Sequence, residues 1–150
     1  MIWNRRNKKA FTLIELLVVI AIIGILGSIV AVSTIAILRN SEQKSMETML
    51  RNYWRLTATY FDQVNKHLST DQVPDRNAIA ARLNLDYKTI QLKTSATKSL
   101  SKNYLFIQYS DNPKSQIARF SIVKMIYRYK DTYYKMDDGQ NMTYSSSVTS

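Results

Sequence analysis

Glu15 is the single charged residue between Phe11 and Leu38. A carboxylate set in so apolar a stretch is costly, on the order of 2.5–3.5 kcal/mol at the centre of a bilayer and less near its surface. Such a group needs a partner. The nearby bases Arg5, Arg6, Lys8 and Lys9 all lie outside the apolar side of it. Either the carboxylate reaches lipid headgroups from one turn inside Phe11, or its partner comes from another chain. Other chemistry-bearing residues are sparse. The absence of cysteine removes disulfides, thiolate metal sites and a cysteine nucleophile. One histidine, His67, cannot make a two-histidine metal site, and near a helix end it reads as a solvated or dipole-pairing residue. No Ser-His-Asp set, glycine-rich phosphate loop or paired carboxylates in a definable cleft are visible, so the sequence does not read as an enzyme.

The elements that carry Glu15 follow from composition. Leu16 to Leu38 has no charge and is apolar on every side. As a helix it spans roughly 34 Å, enough for a hydrocarbon core of about 30 Å. Gly24 and Gly27 fall one turn apart within it, an arrangement tolerated by membrane helices. It is too long for the apolar core of a secretory signal, which runs about 7–15 residues. The basic residues ahead of it, with no acid among them, hold that end in the cytoplasm and send the C-terminal bulk outward.

A basic leader, a small residue at Ala10 and the run Phe11-Thr12-Leu13-Ile14-Glu15-Leu16-Leu17-Val18 resemble the type IV prepilin and pseudopilin family, with its N-terminal cleavage and methylation motif. The resemblance covers about Lys8 to Leu38. It implies that a prepilin peptidase cuts between Ala10 and Phe11 and methylates the new amine of Phe11. It implies that Glu15 pairs with the N-terminal amine of a neighbouring pilin or pseudopilin subunit, supplying the partner the carboxylate needs. An assembly ATPase and a platform protein are implied indirectly. Two positions depart from the family: Ala10 stands where glycine is usual, and no proline lies near Val32. Without that proline the anchor helix keeps its hydrogen bonds and runs straighter.

Past Leu38 the helical period continues with one apolar face, through Met46, Met49, Leu50, Tyr53, Tyr60, Phe61, Val64 and Leu68. The sequence predicts one helix from Phe11 to Leu68, roughly 87 Å long. Residues Ser69 to Asp75 break it, and Asp75 is placed to cap a short helix over Arg76 to Leu83. Tyr87 to Thr94, Asn103 to Ser110, Ile117 to Tyr129 and Thr132 to Met136 have strand composition, with turns at Asp111-Asn112-Pro113-Lys114, Lys130-Asp131 and Asp138-Gly139. The expected fold class is α+β and pilin-like: a long N-terminal helix, half transmembrane and half amphipathic spine, packed against a small antiparallel β-meander. The expected divisions are a leader at 1–10, a transmembrane and assembly helix at 11–38, an extracytoplasmic domain at 39–144 and a polar tail at 145–150.

The formal charge of +10 lies mostly in the leader and in residues 69–130. Lys88, Lys93, Lys98, Lys102, Lys114, Arg119, Lys124 and Arg128 are spread without a cluster, as on a solvated surface. Asp131, Asp137 and Asp138 lack a regular calcium-ligand spacing, and no cofactor or metal is assigned. The reading is a structural subunit, a minor pilin or pseudopilin, held as a single-pass protein of the cytoplasmic membrane and then moved into a surface filament. The alternative is a competence-type pseudopilin whose basic outer domain contacts DNA. Motility, type II secretion and DNA uptake are not distinguished by sequence.

Overall fold

A computed structural model describes residues 11–66, 73–115 and 117–148. Helix α1 spans Leu13–Lys66 without a break, passing through Gly24 and Gly27. The expected leader, His67, Leu68 and the break beginning at Ser69 lie outside the described residues. The chain divides into two units, Met1–Gln43 and Lys44–Ser150.

In the first unit the helix exposes its apolar side chains on every flank: Leu16, Leu17, Ile20, Ile23, Leu26 and Ile37 are all open. In the second unit the helical period buries one stripe. Leu50, Thr57, Phe61 and Val64 face inward, while Arg51, Arg55 and Thr59 face water. Burial of a side chain such as Leu50 or Phe61 contributes about 1.5–3 kcal/mol. Helix α2, Arg76–Leu83, starts where Asp75 accepts a hydrogen bond from the Asn77 N–H, and ends at Asn84 in the left-handed conformation (φ 53°). The side-chain amide of Asn tolerates that conformation better than most residues.

Five strands follow: β1 Ile90–Lys93, β2 Leu105–Asp111, β3 Phe120–Tyr129, β4 Thr132–Met136 and β5 Met142–Ser145. They form one sheet in chain order, antiparallel from β2 to β5. The architecture is α+β and pilin-like, a long N-terminal helix packed with a mostly antiparallel sheet. Three details differ from the sequence expectation. The first predicted strand loses Tyr87–Thr89 to a 3-10 turn, capped by Asp86 through the Lys88 N–H. What remains, β1, pairs parallel to β2, with Ile90 opposite Leu105. A hairpin cannot join parallel neighbours, so the chain must return along the sheet between Lys93 and Leu105. The return seats Leu100 on the face away from α1, against Phe106, Ile126 and Tyr133. The fifth strand is an addition, and it starts after the Asp138-Gly139 turn.

The sheet therefore has two apolar layers. Ile107, Met125 and Met136 share the face turned to α1, where Phe61, Tyr109 and Phe120 meet edge to face at 5.9 and 6.1 Å. Phe106 and Ile126 form the smaller back layer. Ser145 closes β5, and Val148 packs on that back layer.

Candidate functional site

The N-terminal end of α1 holds the site. Thr12 precedes the helix, and its carbonyl accepts the Leu16 N–H at 3.3 Å, the first intrahelical bond. Its hydroxyl accepts the Glu15 N–H at 3.3 Å. Glu15 answers with one carboxylate oxygen, which accepts the Thr12 N–H at 2.9 Å and the Thr12 hydroxyl at 2.8 Å. This reciprocal arrangement is a capping box, satisfying donors that a helix start otherwise leaves open. It also sets a negative charge at the positive end of the helix dipole. Thr12-x-x-Glu15 has the capping-box spacing in sequence, so the intrachain partner is legible there as well as the interchain one.

Phe11 stands just outside the helix and is 78 % exposed. Ala10, on the other side of the expected cut, lies outside the described residues. Beyond Glu15, α1 is long and apolar enough to cross a membrane. Added Cβ atoms at Gly24 and Gly27 would meet nothing within 4 Å, so both glycines present bare backbone to whatever surrounds the helix. Ser28 turns its hydroxyl to the Ile25 carbonyl at 2.7 Å.

Residues 5–31 match the family profile of the prokaryotic N-terminal methylation motif. This is the type IV prepilin signature. The motif supports a type IV pilin or pseudopilin, and it implies processing by prepilin peptidase and assembly with other pilin subunits. The prepilin signature and the apolar helix together fit membrane anchoring followed by surface display. No curated protein and no solved structure matches the chain.

Several charged groups of the second unit are paired locally. Arg119 binds Asp111 at 2.8 Å, Lys124 approaches Asp137 at 3.7 Å, and Lys102 binds Asp131 at 3.0 Å with Arg128 nearby. The Lys102 hydrogen bond and charge, joined by Arg128, hold Asp131 below the usual carboxylate range. Asp138 is lowered by backbone N–H groups of Asn141 and Gln140, which its Oδ1 accepts at 2.8 and 2.9 Å. Asp131 and Asp138 thus serve separate turns. Among the described residues no three His, Cys, Asp or Glu side chains gather into a metal site. Burial raises the Tyr53 phenol, and burial with neighbouring Tyr53 and Tyr129 raises Tyr127; these tyrosines belong to the packing of α1 on β3.

Proposed function

We propose that this chain is a minor pilin or pseudopilin that enters a type IV pilus-like filament through its apolar N-terminal helix. The observation that carries the reading is the methylation motif at residues 5–31, whose part from Leu13 onward forms a helix with its described apolar side chains exposed. Cleavage falls between Ala10 and Phe11, removing the basic leader, and the new amine of Phe11 is methylated. Residues 11–38 hold the chain in the cytoplasmic membrane, N-terminus inward, and then pack with other subunits. An assembly ATPase and a platform protein drive that transfer.

Glu15 has two successive partners in this account. In the single subunit its carboxylate is held by Thr12, which makes a membrane-inserted carboxylate tolerable. In the filament the same carboxylate meets the charged amine on Phe11 of a neighbour, a stronger partner in a low-dielectric setting.

The test is the intact mass and N-terminal sequence of the protein from cells with and without prepilin peptidase. A chain that begins at methylated Phe11 only when the peptidase is present is expected. A chain that keeps Met1 in both strains overturns the reading.

A further inference from the structure

Strand β3 outruns its neighbour. Its pairing with β4 begins at Met125 opposite Met136, whereas its pairing with β2 extends back to Phe120. Phe120 to Lys124 therefore has β2 on one side and, among the described residues, no strand on the other. A groove of about 210 Å³ lies along that open side, walled by Trp54, Ala58, Asp62, Asn65 and Ile122. Asn65 occupies its far end by binding the Phe120 backbone. By the alternation of an antiparallel strand, Ile122 turns its N–H and C=O the same way as Phe120, toward the groove. The one charged wall residue is Asp62, exposed and without an ion pair among the described residues.

The opposite flank of the molecule carries the complement. At about 100° per residue, Tyr60 and Gln63 lie across α1 from Ala58 and Asp62. Tyr60 accepts the Asp75 N–H at 2.8 Å and Gln63 meets Arg82, so this flank leads to α2 and the β1 edge. There Tyr87 is 43 % exposed, with Arg76 at 5.2 Å and Lys88 at 5.9 Å from its ring centre. The nearby acids Asp75 and Asp86 are engaged as caps by the Asn77 and Lys88 N–H groups. An open aromatic ring bracketed by two cations faces one way; an aromatic-walled groove with a free carboxylate faces the other.

We propose that the groove of one copy receives Tyr87 of the next, with Tyr87 against Trp54 and Asp62 meeting Arg76. Tyrosine, tryptophan and arginine are the residues that most often anchor interfaces. The groove lies along the central strand β3 and Tyr87 at the β1 edge, two strands away, roughly 10 Å at ~4.8 Å per strand. A contact between different patches is head-to-tail, and it propagates as an open helical array instead of closing as a two-fold dimer. The inference rests on the filament-subunit reading, taken in its pseudopilin form with copies of this chain as neighbours, and names a contact between them.

The chain has no cysteine, so Ala58→Cys and Lys88→Cys, which leave Tyr87 in place, introduce the only thiols. Filaments sheared from cells making the full chain are oxidised and run without reductant. The double variant is expected to give a ladder of dimers, trimers and higher species, and each single variant to remain monomeric. Filaments without a ladder, or dimers from a single variant, overturn the contact. Independently, Asp62→Arg is expected to lower sheared-filament yield about tenfold, the effect of about 1.4 kcal/mol, and adding Arg76→Asp to restore most of it. A double variant as poor as Asp62→Arg alone overturns the pairing. If the wild-type chain is itself absent from filaments, the subunit reading falls and the contact with it; if wild-type filaments form without the ladder, only the contact falls.

Discussion

The side-chain amide of Asn65 binds Phe120 at both backbone groups, donating to its carbonyl at 2.8 Å and accepting its N–H at 2.9 Å. A neighbouring strand would make the same two bonds. Asn65 is 7 % exposed, so removing it strands two backbone groups with little water to replace it. Asn65→Ala is expected to destabilise the outer unit by about 2–4 kcal/mol. Denaturant unfolding of the full chain in detergent measures this, and a loss within about 0.5 kcal/mol would show the pairing to be incidental.

Gly139 has φ +76°, and a Cβ built there would lie 2.5 Å from Nε1 of Trp54. Gly139→Ala therefore combines backbone strain with a clash, and a loss of about 1–3 kcal/mol is expected. Trp54→Ala removes the obstacle. In a double-mutant cycle the pair is expected to cost less than the sum of its parts, and simple additivity would locate the strain elsewhere.

Thr12 and Glu15 make separable contributions to insertion and assembly. Glu15→Ala is expected to leave membrane insertion intact and to lower incorporation into filaments about tenfold or more. Thr12→Ser keeps the hydroxyl and the cap, and incorporation should match wild type; Thr12→Ala loses a cap contribution of about 1 kcal/mol and should fall between. Fractionation of membranes and sheared filaments gives both quantities. Unchanged incorporation by Glu15→Ala removes its assembly role.

Asp138 links stability to acid pH. Its ordinary value is 3.8, and the N–H groups of Asn141 and Gln140 lower it in the folded chain. A lowered carboxylate contributes stability fully above the unfolded value, and the contribution is lost as pH falls through the folded one. The melting-temperature gap between wild type and Asp138→Ala in detergent is expected to be constant above about pH 5 and to close below about pH 4. A gap that persists at low pH would mean the turn does not need the charge.

The parts of the fold set by local composition were legible in sequence. Helix α1 follows from unbroken helical period, α2 from Asp75 and its following residues, and β2 to β4 from β-branched and aromatic runs between turns. The omissions are non-local or rest on isolated residues. Met142 to Ser145 has little apolar pattern, and it becomes a strand because Tyr144 and Thr143 find partners in Tyr134 and Lys135. The parallel pairing of β1 depends on where the next segment returns, which no window around Ile90 records. Leu100 and Val148 are single apolar residues in polar stretches, and only the assembled sheet offers them a surface. For the site, Glu15 stands out by its charge alone, whereas Thr12 shows its role only through its three-residue spacing from Glu15.

The back layer also sets an order in time. Leu100 sits in the return between two parallel strands, and Val148 follows the last strand; both must arrive before the cluster with Phe106, Ile126 and Tyr133 is complete. Pairings between distant segments form slowly and leave apolar surface open until they do. A chain made from its N-terminus thus has its long helix ready while its sheet-bearing unit is still unfinished. That unit becomes fully closed, and fit to meet a neighbour, only when Val148 has followed.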